Sequence, residues 1–284
     1  MHRQTLAQMV DGPLFESLEP RLLLDGTPEE QVLQLFSVSP ALFVENQGQS
    51  ADEVPRASTG GAAGEASLQG PAMGSGDDIP VELVGQWGGL VLDAVAVGNY
   101  AYVCQGAALA MLDITDPSRP VGVGRILLPA VAHSVAVSGN VAYVADDEAG
   151  LEIIDVSNPA APVWRGQYDT TGYALGVFVS GNLAYVADYD AGLQIIDVSN
   201  PAAPVRRGGY DTSGDARGVY VSGSLAYVAD SDAGLQIIDV SNPDAPARLG
   251  GYDTHSAEDV YVSGNLAYVA DGSAGLQIID VSNP

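Results

Sequence analysis

The string GLQIIDVSNP begins at Gly192, Gly234 and Gly275, reads GLEIIDVSNP from Gly150, and persists in worn form as ALAMLDITDP from Ala108. The prolines that close it, Pro117, Pro159, Pro201, Pro243 and Pro284, lie 42, 42, 42 and 41 residues apart. A fixed period of that size means one supersecondary unit copied five times, with each copy burying its apolar surface against the next.

Within a copy, four short β-rich runs are divided by turn residues. In the third, 174–181 (ALGVFVSG) is strand a, 182–188 (NLAYVAD) strand b, 192–199 (GLQIIDVS) strand c and 205–211 (VRRGGYD) strand d. Val177-Phe178-Val179 and Leu183-Ala184-Tyr185-Val186 are apolar on both faces, as suits a sheet covered on both sides. Ser180-Gly181-Asn182 is a tight hairpin turn, and Ser199-Asn200-Pro201 leaves strand c through a loop that cannot continue a ladder. Four antiparallel strands in about 42 residues is the size of a β-propeller blade. The expected class is therefore all-β, a five-bladed β-propeller.

Strands a, b and c occur five times, but strand d follows only the first four sets, and the fifth set ends at Pro284. A spare segment with the strand d pattern, Val81-Glu82-Leu83-Val84-Gly85-Gln86-Trp87, precedes the first strand a. Pairing it with the last blade would close the ring and protect two sheet edges. The alternative is an array that continues past Pro284.

Composition divides the rest. Residues 1–45 form an N-terminal region in which Thr27-Pro28-Glu29-Glu30 reads as a cap, a first-position Pro and a capping-box Glu, predicting a short helix to about Phe36. Residues 46–79 are rich in Gly, Ala and Ser and predict a flexible linker; 80–284 is the repeat array. The chain carries 10 Arg and no Lys against 36 Asp and Glu, a formal charge of −26. That balance repels phosphate backbones and anionic lipid, which argues against nucleic-acid partners. No run approaches the roughly 20 apolar residues of a transmembrane helix. Cys104, the single cysteine, sits where other copies carry Ala145, Ala187, Ala229 and Ala270, so it reads as a small buried strand residue.

The unit NLAYVAD followed by LQIIDVSNPAAP resembles the LVIVD repeat family, over residues 81–284. That resemblance implies a propeller in a bacterial or archaeal surface protein. Phe15-Glu16-Ser17-Leu18-Glu19-Pro20-Arg21-Leu22-Leu23-Leu24-Asp25-Gly26 is similar to the LEPR-XLL motif. It implies export by a non-standard N-terminal signal, and so an extracellular or cell-surface location on a bacterium.

Candidate chemistry has to be sought where the copies differ. The a–b and c–d loops scarcely vary, whereas the d–a loops do: 127–132, 169–174, 211–216 and 253–258. Tyr168-Asp169, Tyr210-Asp211 and Tyr252-Asp253, with His255, enter this variable rim, where Tyr beside Asp could stack on and hydrogen-bond a sugar. The b–c turns are acidic. Asp188-x-Asp190 and Asp230-x-Asp232 resemble the opening of a Ca²⁺ loop, but Leu-Gln-Ile-Ile follows where a bidentate acid is needed, so an Asx-rich turn is the simpler reading. Asp113, Asp155, Asp197, Asp239 and Asp280 recur in every copy, which marks a structural role at the end of strand c. His133 and Arg217, beside strand a, are the candidates for an axial site.

No nucleophile elbow, phosphate loop or zinc motif stands out, so the reading is non-catalytic and without a cofactor. The expected function is an interaction or adhesion module that binds an extracellular protein or polymer through the d–a and b–c rim. The alternative is a carbohydrate-binding, lectin-like propeller.

Overall fold

The structure, a computed structural model, describes residues 83–284. The helix expected near 27–36, the sorting-like string 15–26, the linker and the first two residues of the spare strand lie outside the described residues.

Among the described residues nineteen strands form five antiparallel sheets in sequence order. The first holds β1 (Asp93–Val97), β2 (Tyr100–Cys104), β3 (Ala108–Asp113) and β4 (Val121–Leu127). The second holds β5 (Ser134–Ser138), β6 (Val141–Ala145), β7 (Leu151–Asp155) and β8 (Val163–Tyr168), and the third β9 (Gly176–Ser180), β10 (Leu183–Ala187), β11 (Leu193–Asp197) and β12 (Val205–Tyr210). The fourth holds β13 (Gly218–Ser222), β14 (Leu225–Ala229), β15 (Leu235–Asp239) and β16 (Ala247–Tyr252). The fifth has three strands, β17 (Asp259–Ser263), β18 (Leu266–Ala270) and β19 (Leu276–Asp280). Each sheet is a blade; the first four follow the a-b-c-d order read from the repeat, and the fifth holds a, b and c.

The cores lie between blades. Leu193, Ile195 and Ile196 of β11 are all fully buried, as are Leu151, Ile153 and Ile154 of β7, because each inner sheet is covered on both faces. Tyr185 and Ile195 of the third blade pack with Val219, Val228 and Ile238 of the fourth in one cluster. Phe178, Tyr220 and Tyr261, at one position of strand a in three successive blades, form a ladder with ring centroids 5.0 and 5.1 Å apart. The c–d pairing carries a register irregularity at the same place in the four complete blades, for instance between Ile195 and Ile196. Such a bulge adds local twist to the outer strand.

Two recurrent devices join one blade to the next. The b–c turn pairs with the loop that enters the following blade, Asp147 with Ala174, Tyr189 with Ala216 and Ser231 with Ala257, each by two backbone hydrogen bonds of 3.0–3.1 Å or shorter. The strand d glycine lies under the proline of the next c–d loop. A Cβ would stand 2.0 Å from the Pro159 carbonyl oxygen at Gly124, 2.2 Å from that of Pro201 at Gly166 and 2.3 Å from that of Pro243 at Gly208. Only glycine permits that approach.

The closing strand differs from expectation. Among the described residues β19 pairs only with β18, and 83–90 join no sheet. Leu276 and Ile278 are consequently 53% and 59% exposed, where Leu193 and Ile195 are 0%. The segment is nonetheless docked on the first blade. A Cβ on Gly85 would stand 1.9 Å from the Pro117 carbonyl oxygen, and the Trp87 ring lies over Gly122. The glycine–proline approach is made without the ladder that was expected to accompany it.

Candidate functional site

Strand a begins at the face where the d–a and b–c loops emerge, so the residues just before and at its start surround the axis. There the five blades enclose a cavity of about 290 Å³. The outer tier is Leu92, His133, Leu175, Arg217 and Glu258, and the inner tier Asp93, Ser134, Gly176, Gly218 and Asp259, one of each from each blade. Val177 and Val219 complete the wall. The outer tier holds four different residue types in five positions, in a molecule whose neighbouring strands are near copies.

Arg217 is fastened to the next blade. Its Nη1 donates to Glu258 Oε2 at 2.7 Å, and the Ser256 hydroxyl donates to Glu258 Oε1 at 3.0 Å. Its Nε is buried and without a hydrogen-bond partner among the described residues. His133 Nε2 stands 3.7 Å from Asp147 Oδ2.

The inner tier is acidic. Asp93 accepts the Ala94 N–H at 2.7 Å and, across to the second blade, the Val135 N–H at 2.8 Å. Burial pushes its carboxyl up, while these amides and the Ser134 hydroxyl pull it back. Asp259 accepts the Val260 N–H at 2.8 Å, and burial, with a further contribution from the Asp93 charge, pushes its carboxyl up to about 6. Among the described residues neither Asp93 nor Asp259 is in an ion pair.

A polar aromatic patch adjoins the cavity. Tyr173 and Tyr189 meet edge to face with centroids 6.0 Å apart. The Tyr189 hydroxyl is hydrogen-bonded to Asp215, which raises it, and the nearby Arg217 charge opposes that shift.

The rim residues expected to form the site do not converge, because each blade holds its own set. Tyr168 and Tyr210 end β8 and β12 half-buried against the inter-blade cores, while Tyr252 is exposed. Asp169, Asp211 and Asp253 are exposed beside them, and His255 is exposed, with its backbone N–H donating to Asp271 Oδ2 at 3.2 Å. The following threonines turn inward. Thr170 donates to Asp188 at 2.6 Å and Thr212 to Asp230 at 2.5 Å, and the amides of Gly172 and Gly214 complete each clamp at 3.0 Å. Asp188 and Asp230 are thus fully buried latches of the d–a loops, whereas Asp190 and Asp232 face solvent. No group of three or more His, Cys, Asp or Glu among the described residues is arranged to hold a metal ion.

Of the two axial candidates, the structure places both His133 and Arg217 at the cavity. Sequence reading did not bring Asp93, Glu258 or Asp259 to this cavity. Stacking the five copies would have exposed them, since after the near-uniform column Val91, Ala132, Ala174, Ala216, Ala257 the next two read Leu, His, Leu, Arg, Glu and Asp, Ser, Gly, Gly, Asp.

Repeated four-stranded units set around an axial cavity define a β-propeller-like repeat protein. The chain belongs to the LVIVD repeat family, whose pattern matches residues 88–127, 130–170, 171–212, 213–254 and 255–284. Among solved structures it is similar to a computationally designed protein, Ika8, at 9% identity and a TM-score of 0.56. That match covers 70% of this chain and 61% of the designed one, so the chain spans about three-fifths of its length. A second designed protein, Ika4, aligns at 10% identity over 54% of this chain and 93% of its own, with a TM-score of 0.45. Comparison with curated proteins found no match. No helix among the described residues is long and apolar enough to cross a membrane.

Proposed function

We propose that the protein is a non-catalytic interaction module, exported and displayed at a bacterial surface, which binds a protein or polymer through the face carrying the d–a and b–c loops. The binding centre is the axial cavity mouth rather than the repeated Tyr-Asp-Thr strings. One observation carries this reading: Leu92, His133, Leu175, Arg217 and Glu258, one from each copy and of four residue types, converge on a single cavity. A repeat array keeps its framework uniform and places specificity where copies diverge. The adjoining Tyr173, Tyr189 and Arg217 are the residue types that dominate interface energetics. The location rests on the sorting-like string and on the surplus of acidic residues.

The same reading has residues 81–87 complete the ring by adding to the free edge of β19 as the fourth strand of the last blade, a ladder that 83–87 do not make in the fold described above. Gly85 already stands under Pro117 as Gly124, Gly166 and Gly208 stand under their prolines, and β19 offers a free edge with Leu276 and Ile278 uncovered.

A random peptide library panned on the immobilised protein tests the binding face. Enriched peptides should protect residues 92, 133, 175 and 217 from hydroxyl-radical footprinting and lose binding to the His133→Ala, Leu175→Ala, Arg217→Ala variant. Footprints confined to the a–b and c–d loops of the opposite face would overturn the assignment.

A further inference from the structure

We infer that the axial cavity takes a lysine side chain of a partner protein, its ammonium group placed between Asp93 and Asp259 and its alkyl stem against Leu92 and Leu175. The inference rests on the binding face proposed above and specifies its chemistry. The cavity is lined on its inner tier by two carboxylates from the first and last blades, close enough that the charge of one raises the other. Asp93 is held by two backbone amides and Asp259 by one, and the basic side chains of the outer tier face other acids. Arg217 is tied to Glu258 at 2.7 Å, and His133 faces Asp147 at 3.7 Å. Two acids sharing one partly desolvated space, with no counter-ion of their own, are stabilised by a cation that enters from outside.

The shape and the outer tier narrow the cation. A volume of about 290 Å³ is at the small end of ligand sites, which begin at roughly 300 Å³, and suits one side chain rather than a larger molecule. The two carboxylates are too few for a bare divalent ion, which needs six or more oxygens if it is calcium. Leu92 and Leu175 at the mouth match a methylene stem. Flexible and compact at its tip, an ammonium reaches such a space more readily than the broad planar guanidinium. These 284 residues contain no lysine, so a second copy of them does not supply the side chain, and the occupant is a lysine of a partner protein. The chain's net charge of −26 favours association with a basic partner.

The test is titration of the full chain with N-acetyl-lysine methylamide, followed by NMR shifts or calorimetry. N-acetyl-norleucine methylamide and N-acetyl-(Nε-acetyl)lysine methylamide, which keep the stem and lose the charge, serve as comparisons, and glycinamide represents a chain N-terminus. The lysine probe should bind at least tenfold more tightly than the two uncharged probes and than glycinamide. Asp259→Asn keeps the oxygen that accepts from Val260 and should weaken the lysine probe tenfold or more; Asp93→Asn is the second variant should the first fail to fold. Equal binding of the norleucine probe, or full retention of lysine binding by a folded Asp259→Asn protein, overturns the inference. Preferred glycinamide binding replaces the side chain with a terminus and also overturns it. If selected peptides footprint at the mouth but carry no lysine, the ligand class is wrong while the binding face stands; absence of any footprint there fails both.

Discussion

Glu152 occupies the position at which the next two blades carry Gln194 and Gln236, and the difference has a measurable cost. Each glutamine accepts from an arginine, Arg206 Nε at 2.7 Å or Arg248 Nε at 2.6 Å, and donates its Nε2 to the carbonyl of Ala191 or Ala233 at 2.7 and 2.6 Å. Glu152 is fully buried, accepts from Trp164 Nε1 at 2.5 Å, and leaves Oε1 without a partner. A protonated Glu152 would restore the glutamine pattern by donating to the local carbonyl. Burial in fact pushes its carboxyl up from 4.5 to about 7, against the pull of the Trp164 hydrogen bond. Below pH 4.5 both folded and unfolded chains hold the proton, so there is no penalty. Between 4.5 and 7 the unfolded chain releases it and the folded one does not, so stability falls, and above 7 the loss is constant. The full loss is at most about 3 kcal/mol. Glu152→Gln removes it. Urea denaturation of both proteins at pH 4, 6 and 8 should show no difference at pH 4 and a variant more stable by up to about 3 kcal/mol at pH 8. A difference independent of pH, or a variant less stable at pH 8, would refute the reasoning. Repulsion within so acidic a chain affects both proteins alike and cancels.

Three further outcomes follow from the joints between blades. Thr212→Val keeps the shape but strips a hydroxyl from buried Asp230, and should cost about 1–3 kcal/mol in denaturation, with Thr212→Ser recovering most of it. Gly208→Ala drives a methyl to 2.3 Å from the Pro243 carbonyl oxygen, backbone against backbone, and should lower stability by about 2–3 kcal/mol, read as a drop in Tm. If residues 81–87 close the ring, extending the register of β11 with β12 sets Gln86 opposite Gln277, as Gly209 is opposite Gln194. Gln86→Cys with Gln277→Cys should then oxidise to an intramolecular disulfide, seen by mass spectrometry as a cross-linked monomer, whereas Leu83→Cys with Gln277→Cys should not; cross-linked dimers alone would argue against closure.

Much of the blade was readable because its determinants are local. Strands b and c of the third copy, read as 182–188 and 192–199, form at Leu183–Ala187 and Leu193–Asp197, since β-branched runs between turn residues leave little choice. The site was less readable. Tyr210-Asp211-Thr212 looks like a ligand-facing string, but the Thr212 hydroxyl turns inward to a carboxylate 18 residues away, a contact no local rule reveals. Asp93 and Asp259 are 166 positions apart and share a cavity only because the array curves. Tyr173 and Tyr189 likewise meet from two different loops. The strand expected over 81–87 shows the converse, since over the described part, 83–87, a correctly placed glycine docks the segment without making the ladder.

The uniformity of the ladders has a consequence for how the chain finds its fold. β10, β14 and β18 share the sequence LAYVA, and β11, β15 and β19 share LQIID. A strand that pairs one blade out of step therefore meets a partner with the same hydrogen-bond pattern and the same side chains. The error is penalised chiefly by the length of chain that must loop out, and loop length is a weak discriminator. What distinguishes correct from shifted assembly is the small set of contacts unique to one joint, such as Arg217 with Glu258. If those unlike residues at the axis set the order of the blades, removing them should slow refolding through mispaired intermediates more than it lowers final stability.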